Sequence, residues 1–249
     1  MQYMGSKNRI SKHIVPIIQK YIDENNVKNY LEPFVGGANI IDKINCKNKY
    51  GSDINKYLIA LLEFLSKDGK LEIETILLDE YKKVKLSYDN KDNSYEDWYI
   101  GLVGFCGSFG SKFFNGYARS NKNDIQGERI KSAINNLKKQ QPNLSNIKFF
   151  NKSFQEVKNN LSNYVIYCDP PYRGTTKYKT DPFPYEEFYQ WCRDMSKTNI
   201  VLISEYNMPD DFECIWEKEV TTQISSQRKA NDDNNIRTEK LFIYKGEIE

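Results

Sequence analysis

The stretch from Asn29 to Leu65 narrows the possible folds more than any other part of the chain. Asn29-Tyr-Leu-Glu32 reads as a short strand, and Pro33-Phe-Val-Gly-Gly-Ala38 as a glycine turn opening into a helix near Asn39-Ile-Ile41. Lys49-Tyr-Gly-Ser-Asp53 then gives a second strand, and Asn55 to Phe64 a second helix, with Leu58, Leu61, Leu62 and Leu65 on one side. Strand and helix alternating over so short a span close only as parallel strands joined by right-handed crossovers. Ahead of this unit, Lys7 to Tyr21 has apolar residues near helical spacing (Ile10, Ile14, Ile17, Ile18, Tyr21), with Pro16 expected to kink the helix or end it early.

The alternation stops at about residue 67. A charged helical piece, a Gly- and Phe-rich loop and a lysine-rich helix (Gly127 to Gln140) follow. It resumes with Ile147-Lys-Phe-Phe150 as strand, Ser153 to Leu161 as helix, and Tyr164-Val-Ile-Tyr-Cys168 as a strongly β-prone strand. Pro184 to Ser196 reads as helix, Asn199 to Ser204 as strand, and Glu213–Val220 with Glu239–Tyr244 as a terminal hairpin. The expected organisation is one α/β domain built from residues 1–66 and 145–249, with a mainly helical insertion at 67–144.

Composition then excludes chemistries. The 249 residues include one histidine, His13, so a Ser-His-Asp triad or a multi-histidine zinc site has nothing to be built on. Cys46, Cys106, Cys168, Cys192 and Cys214 form no C-x-x-C pair, which argues against a disulfide framework or zinc knuckle and for a reducing compartment. No stretch approaches the ~20 apolar residues of a membrane span. The N-terminal MQYMGSKNRI has no secretory apolar region. A soluble cytoplasmic protein, with no membrane and no metal, is expected.

Net charge is only +2, from 36 basic and 34 acidic side chains. It is unevenly spread: Gly107 to Lys152 holds nine Lys/Arg and two acids, a local +7, which leaves −5 for the rest. A basic segment on an acidic body suits a phosphate backbone. A solvated lysine helix explains the charge equally well, and 29 Lys with 26 Asn reflect an AT-rich coding genome as much as function.

Two constellations carry chemistry. In the first, Gly36 and Gly37 let backbone approach a ligand, and Asp53 at the tip of the next strand is placed for ribose hydroxyls. The full G-x-G-x-x-G is absent, so a nucleoside fits better than a dinucleotide. In the second, Asp169-Pro170-Pro171-Tyr172 directly follows an apolar strand, where open α/β sheets bind ligands. A carboxylate and a proline carbonyl can accept hydrogens from an exocyclic amine while the tyrosine ring stacks on a base.

On these residues the chain resembles the S-adenosylmethionine-dependent amino-methyltransferases, in particular the Dam-like, alpha-group adenine-N6 DNA methyltransferases of bacteria and phages. Asp169-Pro-Pro-Tyr172 matches their D-P-P-Y motif. Leu31-Glu-Pro-Phe-Val-Gly-Gly37 matches their cofactor loop E-P-F-x-G-x-G, with Ala38 in place of the second glycine. Tyr3-Met-Gly-Ser-Lys7 matches their aromatic-x-G-[GS]-K element, and Ile203-Ser-Glu-Tyr206 and Arg237-Thr-Glu-Lys-Leu-Phe242 resemble phage members.

The resemblance implies a Rossmann-like methyltransferase sheet with an inserted target-recognition domain at 67–144. It implies S-adenosylmethionine contacts from Tyr3, Lys7, Phe34, Gly36, Gly37, Asp53, Phe154 and Asp169. Catalysis would fall to Asp169, Pro170, Pro171 and Tyr172 acting on the N6 amine of a flipped adenine in double-stranded DNA. One flipped base needs one copy of the enzyme, so a monomer is expected; the sequence does not say whether a cognate restriction enzyme exists.

Phe105 to Arg119 interleaves aromatics with Lys112 and Arg119, and resembles the G-x-F-N-x-P-x-G recognition loop of Dam-like enzymes without its proline. Lys112, Phe113, Asn115 and Arg119 are the expected DNA contacts there. Arg173 to Asp181 is expected to order over the flipped base through Lys177 and Tyr178. The competing readings are a cytosine-N4 methyltransferase, whose motif is usually S-P-P-Y, and a non-catalytic DNA- or cofactor-binding relative.

Overall fold

A computed structural model of the chain describes residues 1–119, 127–158, 160–173, 183–221 and 236–246. Helix α1 (Ser11–Glu24) buries Ile14, Ile18 and Ile22, continuing the four-residue spacing from Ile10. Pro16 neither ends nor divides it. The ring lies on the exposed face, where water can take the carbonyl that loses its donor.

Seven strands form one sheet: β1 (Asn29–Glu32), β2 (Asn48–Asp53), β3 (Ile147–Asn151), β4 (Tyr164–Cys168), β5 (Ile200–Glu205), β6 (Phe212–Thr221) and β7 (Ile236–Tyr244). Their order is β3-β2-β1-β4-β5-β7-β6. The first five are parallel, and β7 runs antiparallel between β5 and β6. The order reverses between β1 and β4, so their carboxyl ends flank the crevice where such sheets take ligands. The ends of β2, β3 and β5 line the same rim.

Helix α2 (Lys56–Ser66) starts where the Asn55 side chain accepts from the backbone N–H of Tyr57 and Leu58, both at 3.1 Å. The insertion supplies α3 (Leu78–Asn90), α4 (Asp97–Cys106) and α5 (Glu128–Gln140), and α6 (Tyr185–Ser196) covers the β4–β5 side. From Ile100 to Cys106, α4 is wholly buried, and it lies so close to α2 that a Cβ on Gly101 would sit 2.2 Å from the Tyr57 carbonyl oxygen. The insertion therefore shares one apolar core with α1, α2 and the sheet.

Two expected helices are absent. Between β1 and β2 the chain makes only a short 3-10 turn, Ile41–Lys43, because Gly36 (φ +47°) and Ala38 (φ +55°) take left-handed backbone that interrupts any helix. After β3, the expected helix from Ser153 reduces to the turn Phe154–Glu156. Ser153 and Glu156 cap each other reciprocally there, but Val157 returns to extended backbone. Among the described residues no helix is long and apolar enough to cross a membrane.

Candidate active site

At the carboxyl end of β1 the chain turns through Gly36 and Gly37. Gly36 N donates to Asp53 Oδ2 at 3.2 Å, and Asn55 N donates to the other carboxylate oxygen at 3.0 Å, so the tip of β2 holds the turn. Burial pushes the Asp53 carboxyl above its usual range, opposed by these backbone donors. Tyr3 lies across the turn. A Cβ on Gly36 would meet its ring at 3.0 Å, and one on Gly37 would meet Tyr3 Cβ at 2.8 Å. From behind, the buried Gln140 side chain at the end of α5 donates to the carbonyls of Gly37 (3.1 Å) and Ala38 (3.0 Å) and to Asp42 (2.9 Å). Phe34 and Phe154 meet at a centroid distance of 5.7 Å in an aromatic cluster with Phe183 and Phe188, next to the end of β1.

At the end of β4, four side chains from three distant parts of the sequence converge. Lys7 Nζ lies 3.2 Å from Asp169 Oδ1 and 3.3 Å from Glu239 Oε2. The same ammonium sits 4.1 Å from the centre of the Tyr172 ring, whose hydroxyl donates to Glu239 at 2.9 Å. Side-chain exposures are 9% for Lys7, 21% for Asp169 and 13% for Glu239. Burial pushes the Asp169 carboxyl up to about 6; Lys7 pulls it down and Glu239 raises it. Burial disfavours the Lys7 ammonium, but the two carboxylates outweigh it and its pKa rises, so Lys7 stays charged.

The main chain of the loop is fixed as well. Glu205, at the end of β5, accepts from the backbone N–H of Arg173 (2.7 Å) and Tyr206 (2.6 Å), and Tyr185 donates to the Pro171 carbonyl at 2.9 Å. Tyr206 meets Tyr172 edge-on at 4.5 Å. Lys7 thus lies over the Tyr172 ring, and Tyr206 packs perpendicular to it.

A family model described as D12 class N6 adenine-specific DNA methyltransferase matches residues 3–229. The chain belongs to this family. It is 25% identical over 278 residues to the type II methyltransferase M.MjaIII of Methanocaldococcus jannaschii, covering 97% of this chain and 96% of that one. To the type II methyltransferase M.FokI of Planomicrobium okeanokoites it is 27% identical over 198 residues, 71% of this chain and 29% of that protein. A putative rRNA-methylase from Clostridium thermocellum superposes with a TM-score of 0.36 at 9% identity, covering 92% of this chain and 96% of that one. The protein is an S-adenosylmethionine-dependent adenine-N6 DNA methyltransferase, and the cytosine-N4 and non-catalytic readings fall away.

The rim fits such a cofactor. The glycine turn leaves no room for a Cβ beneath Tyr3, Asp53 offers a half-buried carboxylate at the tip of β2, and Phe34 stands next to the turn on the Phe154 cluster. Ala38, where the Dam-like pattern has glycine, takes the left-handed backbone that glycine would take.

The basic loop of this methyltransferase forms a hairpin-like turn closed by the Ser108–Tyr117 bridge. Lys112, Asn115 and Arg119 are exposed on it. Phe113 is not: its half-buried ring contacts Phe105 (4.9 Å), Tyr88 (5.2 Å) and Tyr57 (5.6 Å), over Gly104 of α4. Exposed Phe109, beside Arg129 at 5.4 Å, is the aromatic that faces outward instead. Lys177 and Tyr178 lie outside the described residues. Sequence reasoning missed Glu239, Glu205 and Gln140. The available signal was a lone carboxylate on an otherwise inward-facing strand position, for Glu239 beside Leu241 and for Glu205 after Ile-Val-Leu-Ile-Ser.

Proposed function

We propose that this methyltransferase acts on double-stranded DNA by taking one adenine out of the helix into the pocket beside Tyr172. The observation that carries the reading is the Lys7–Asp169–Glu239–Tyr172 cluster at the end of β4. With one face of its ring against Lys7, Tyr172 offers the other for a base to stack on. Asp169 and the Pro170 carbonyl accept the two hydrogens of the N6 amine, which draws the nitrogen lone pair out of the ring's conjugation. Pro170 and Pro171 hold the backbone at fixed φ, and Tyr185 and Glu205 brace it. Tyr3, Gly36 and Gly37 enclose the cofactor's amino-acid end, Asp53 takes its ribose hydroxyls, and Phe34 and Phe154 flank its adenine. When bound, S-adenosylmethionine supplies a methyl group on a cationic sulfur that departs as a neutral thioether. The chain's own contribution is position and electrostatics.

Residues 67–144 serve as the target-recognition unit, with Lys112, Asn115 and Arg119 on phosphates and base edges and Phe113 anchoring the loop behind them. Lys177 and Tyr178 act from the segment after D-P-P-Y. The enzyme works as a monomer in the cytoplasm, and the type II names of its relatives suggest a restriction–modification setting. Asp169→Ala is expected to abolish methyl transfer to duplex DNA with an unchanged circular dichroism spectrum, while wild-type product yields N6-methyladenine by nucleoside mass analysis. Methylation persisting in that variant would sink this reading.

A further inference from the structure

Lys7 touches two carboxylates but can neutralise only one of them. Asp169 at 3.2 Å and Glu239 at 3.3 Å share its single ammonium in a pocket where all three side chains are largely buried. Among the described residues no second ammonium or guanidinium is paired with either carboxylate. Burial pushes the Glu32 carboxyl on β1 well above its usual range, and Tyr30 donates to it at 2.7 Å. Tyr167, Cys168 and Tyr172 are pushed above their usual ranges, again by burial first, and stay neutral. Further out, Glu205 accepts from the backbone N–H of Arg173 and Tyr206, and Arg237 lies on the Tyr206 hydroxyl at 3.2 Å; neither forms an ion pair with Lys7, Asp169 or Glu239. At Lys7, two carboxylates therefore face one ammonium.

We propose that Glu239 is a positioning residue whose surplus charge, held at Lys7 and Tyr172, makes this pocket prefer a cationic sulfonium over a neutral thioether. The inference rests on the methyl-transfer reading of the site. Glu239 accepts the Tyr172 hydroxyl at 2.9 Å, and so fixes the ring that stacks the base. It also draws Lys7 away from a one-to-one pair with Asp169, which leaves Asp169 able to serve as an acceptor. Without the Glu239 carboxylate, Lys7 and Asp169 would form a closed, neutral pair. The pocket would then have no net charge to offer the charged form of the cofactor over its spent form.

The test is calorimetry with S-adenosylmethionine and S-adenosylhomocysteine on the full chain, in wild type, Glu239→Gln, Tyr172→Phe and Glu239→Asp. Glu239→Gln keeps the shape and an acceptor for Tyr172 but removes the charge. Its affinity for the sulfonium should fall about five- to thirty-fold, the range one charge gives in a partly screened pocket, with thioether affinity changed by less than about twofold. Tyr172→Phe loses the same hydrogen bond with no change of charge, so its ratio of the two affinities should stay at the wild-type value. Glu239→Asp, which restores the charge, should return the ratio towards it. If Glu239→Gln fails to fold, the double variant Glu239→Gln/Tyr172→Phe, which strands no hydroxyl, carries the same expectation. Equal loss for both ligands, or no loss, overturns the inference and leaves the methyl-transfer reading standing. Failure of the wild type to bind either ligand would refute that reading instead.

Discussion

Replacing Phe113 by alanine separates packing from DNA contact in the basic loop. A fully buried Phe→Ala change costs about 3–5 kcal/mol, and a half-buried ring about half of that. The centroid distances to Phe114 (4.7 Å), Phe105 (4.9 Å), Tyr88 (5.2 Å) and Tyr57 (5.6 Å) lie in the range where aromatic pairs add about 0.5 kcal/mol or more each. A loss of about 2–3 kcal/mol follows, which for a chain of this size lowers Tm by roughly 5–10 °C. The ring also fills the space above Gly104, where a Cβ would lie 2.2 Å from Phe113 Cε2, so no neighbour can readily collapse into the gap. Lys112→Ala removes an exposed side chain and should leave Tm within about 1 °C, since exposed positions contribute little. The assays are thermal melting and duplex-DNA binding by fluorescence anisotropy at two salt concentrations. Phe113→Ala should melt early yet keep the wild-type salt dependence, whereas Lys112→Ala should weaken binding and flatten that dependence by about one counterion. A Phe113→Ala protein with unchanged Tm and abolished DNA binding would refute the reasoning, because the ring would then be reading DNA.

Three further outcomes are expected. Asp169, with its carboxyl pushed up to about 6, must be ionised to accept an amine hydrogen, so kcat/KM should be level above that pH and fall below it, roughly tenfold per unit; a profile flat down to pH 4.5 would contradict this. Asp53→Ala should weaken S-adenosylmethionine binding in calorimetry by about 1.5–3 kcal/mol, the worth of hydrogen bonds to a carboxylate, with unchanged affinity arguing that the ribose lies elsewhere. Gln140→Leu removes the donor shared by Gly37, Ala38 and Asp42, of which Ala38 keeps Asp42 N and Asp42 keeps Lys43, and should cost about 1–2 kcal/mol of stability and loosen cofactor binding together. Lower stability with unaltered cofactor affinity would mean that the glycine turn is held by Tyr3 and Asp53 alone.

Strongly periodic and strongly β-prone segments were legible in the sequence: α2, α5, β4 and β6 fall within a residue or two of their expected places, and β7 starts three residues earlier than expected. Local backbone chemistry hid the rest. The run Gly36-Gly37-Ala38 looks like a helix entrance, but left-handed φ at two of its three residues turns it into a loop. Helix α4 is apolar on every side and carries Gly101 and Gly104, so it has no amphipathic signature, and glycine disguises a helix whose use is close approach to α2 and to Phe113. At the site, the motifs announced Asp169, Tyr172, Asp53 and Lys7 because each sits in a local pattern. Glu239 and Gln140 act on residues more than sixty positions away; Glu239 showed only as a carboxylate two places before an inward leucine, and Gln140 sits in a lysine-rich helix end that gives its role no local sign.

The Lys7–Asp169–Glu239 contact has a consequence for how the enzyme comes into being. Its three members are contributed by the first turn of the chain, the fourth strand and the last strand, so the D-P-P-Y loop emerges from the ribosome well before the carboxylate that completes it. A nascent or clipped chain ending ahead of residue 236 would carry the N-terminal element, the glycine turn and D-P-P-Y and still lack the carboxylate that joins Lys7 to Tyr172.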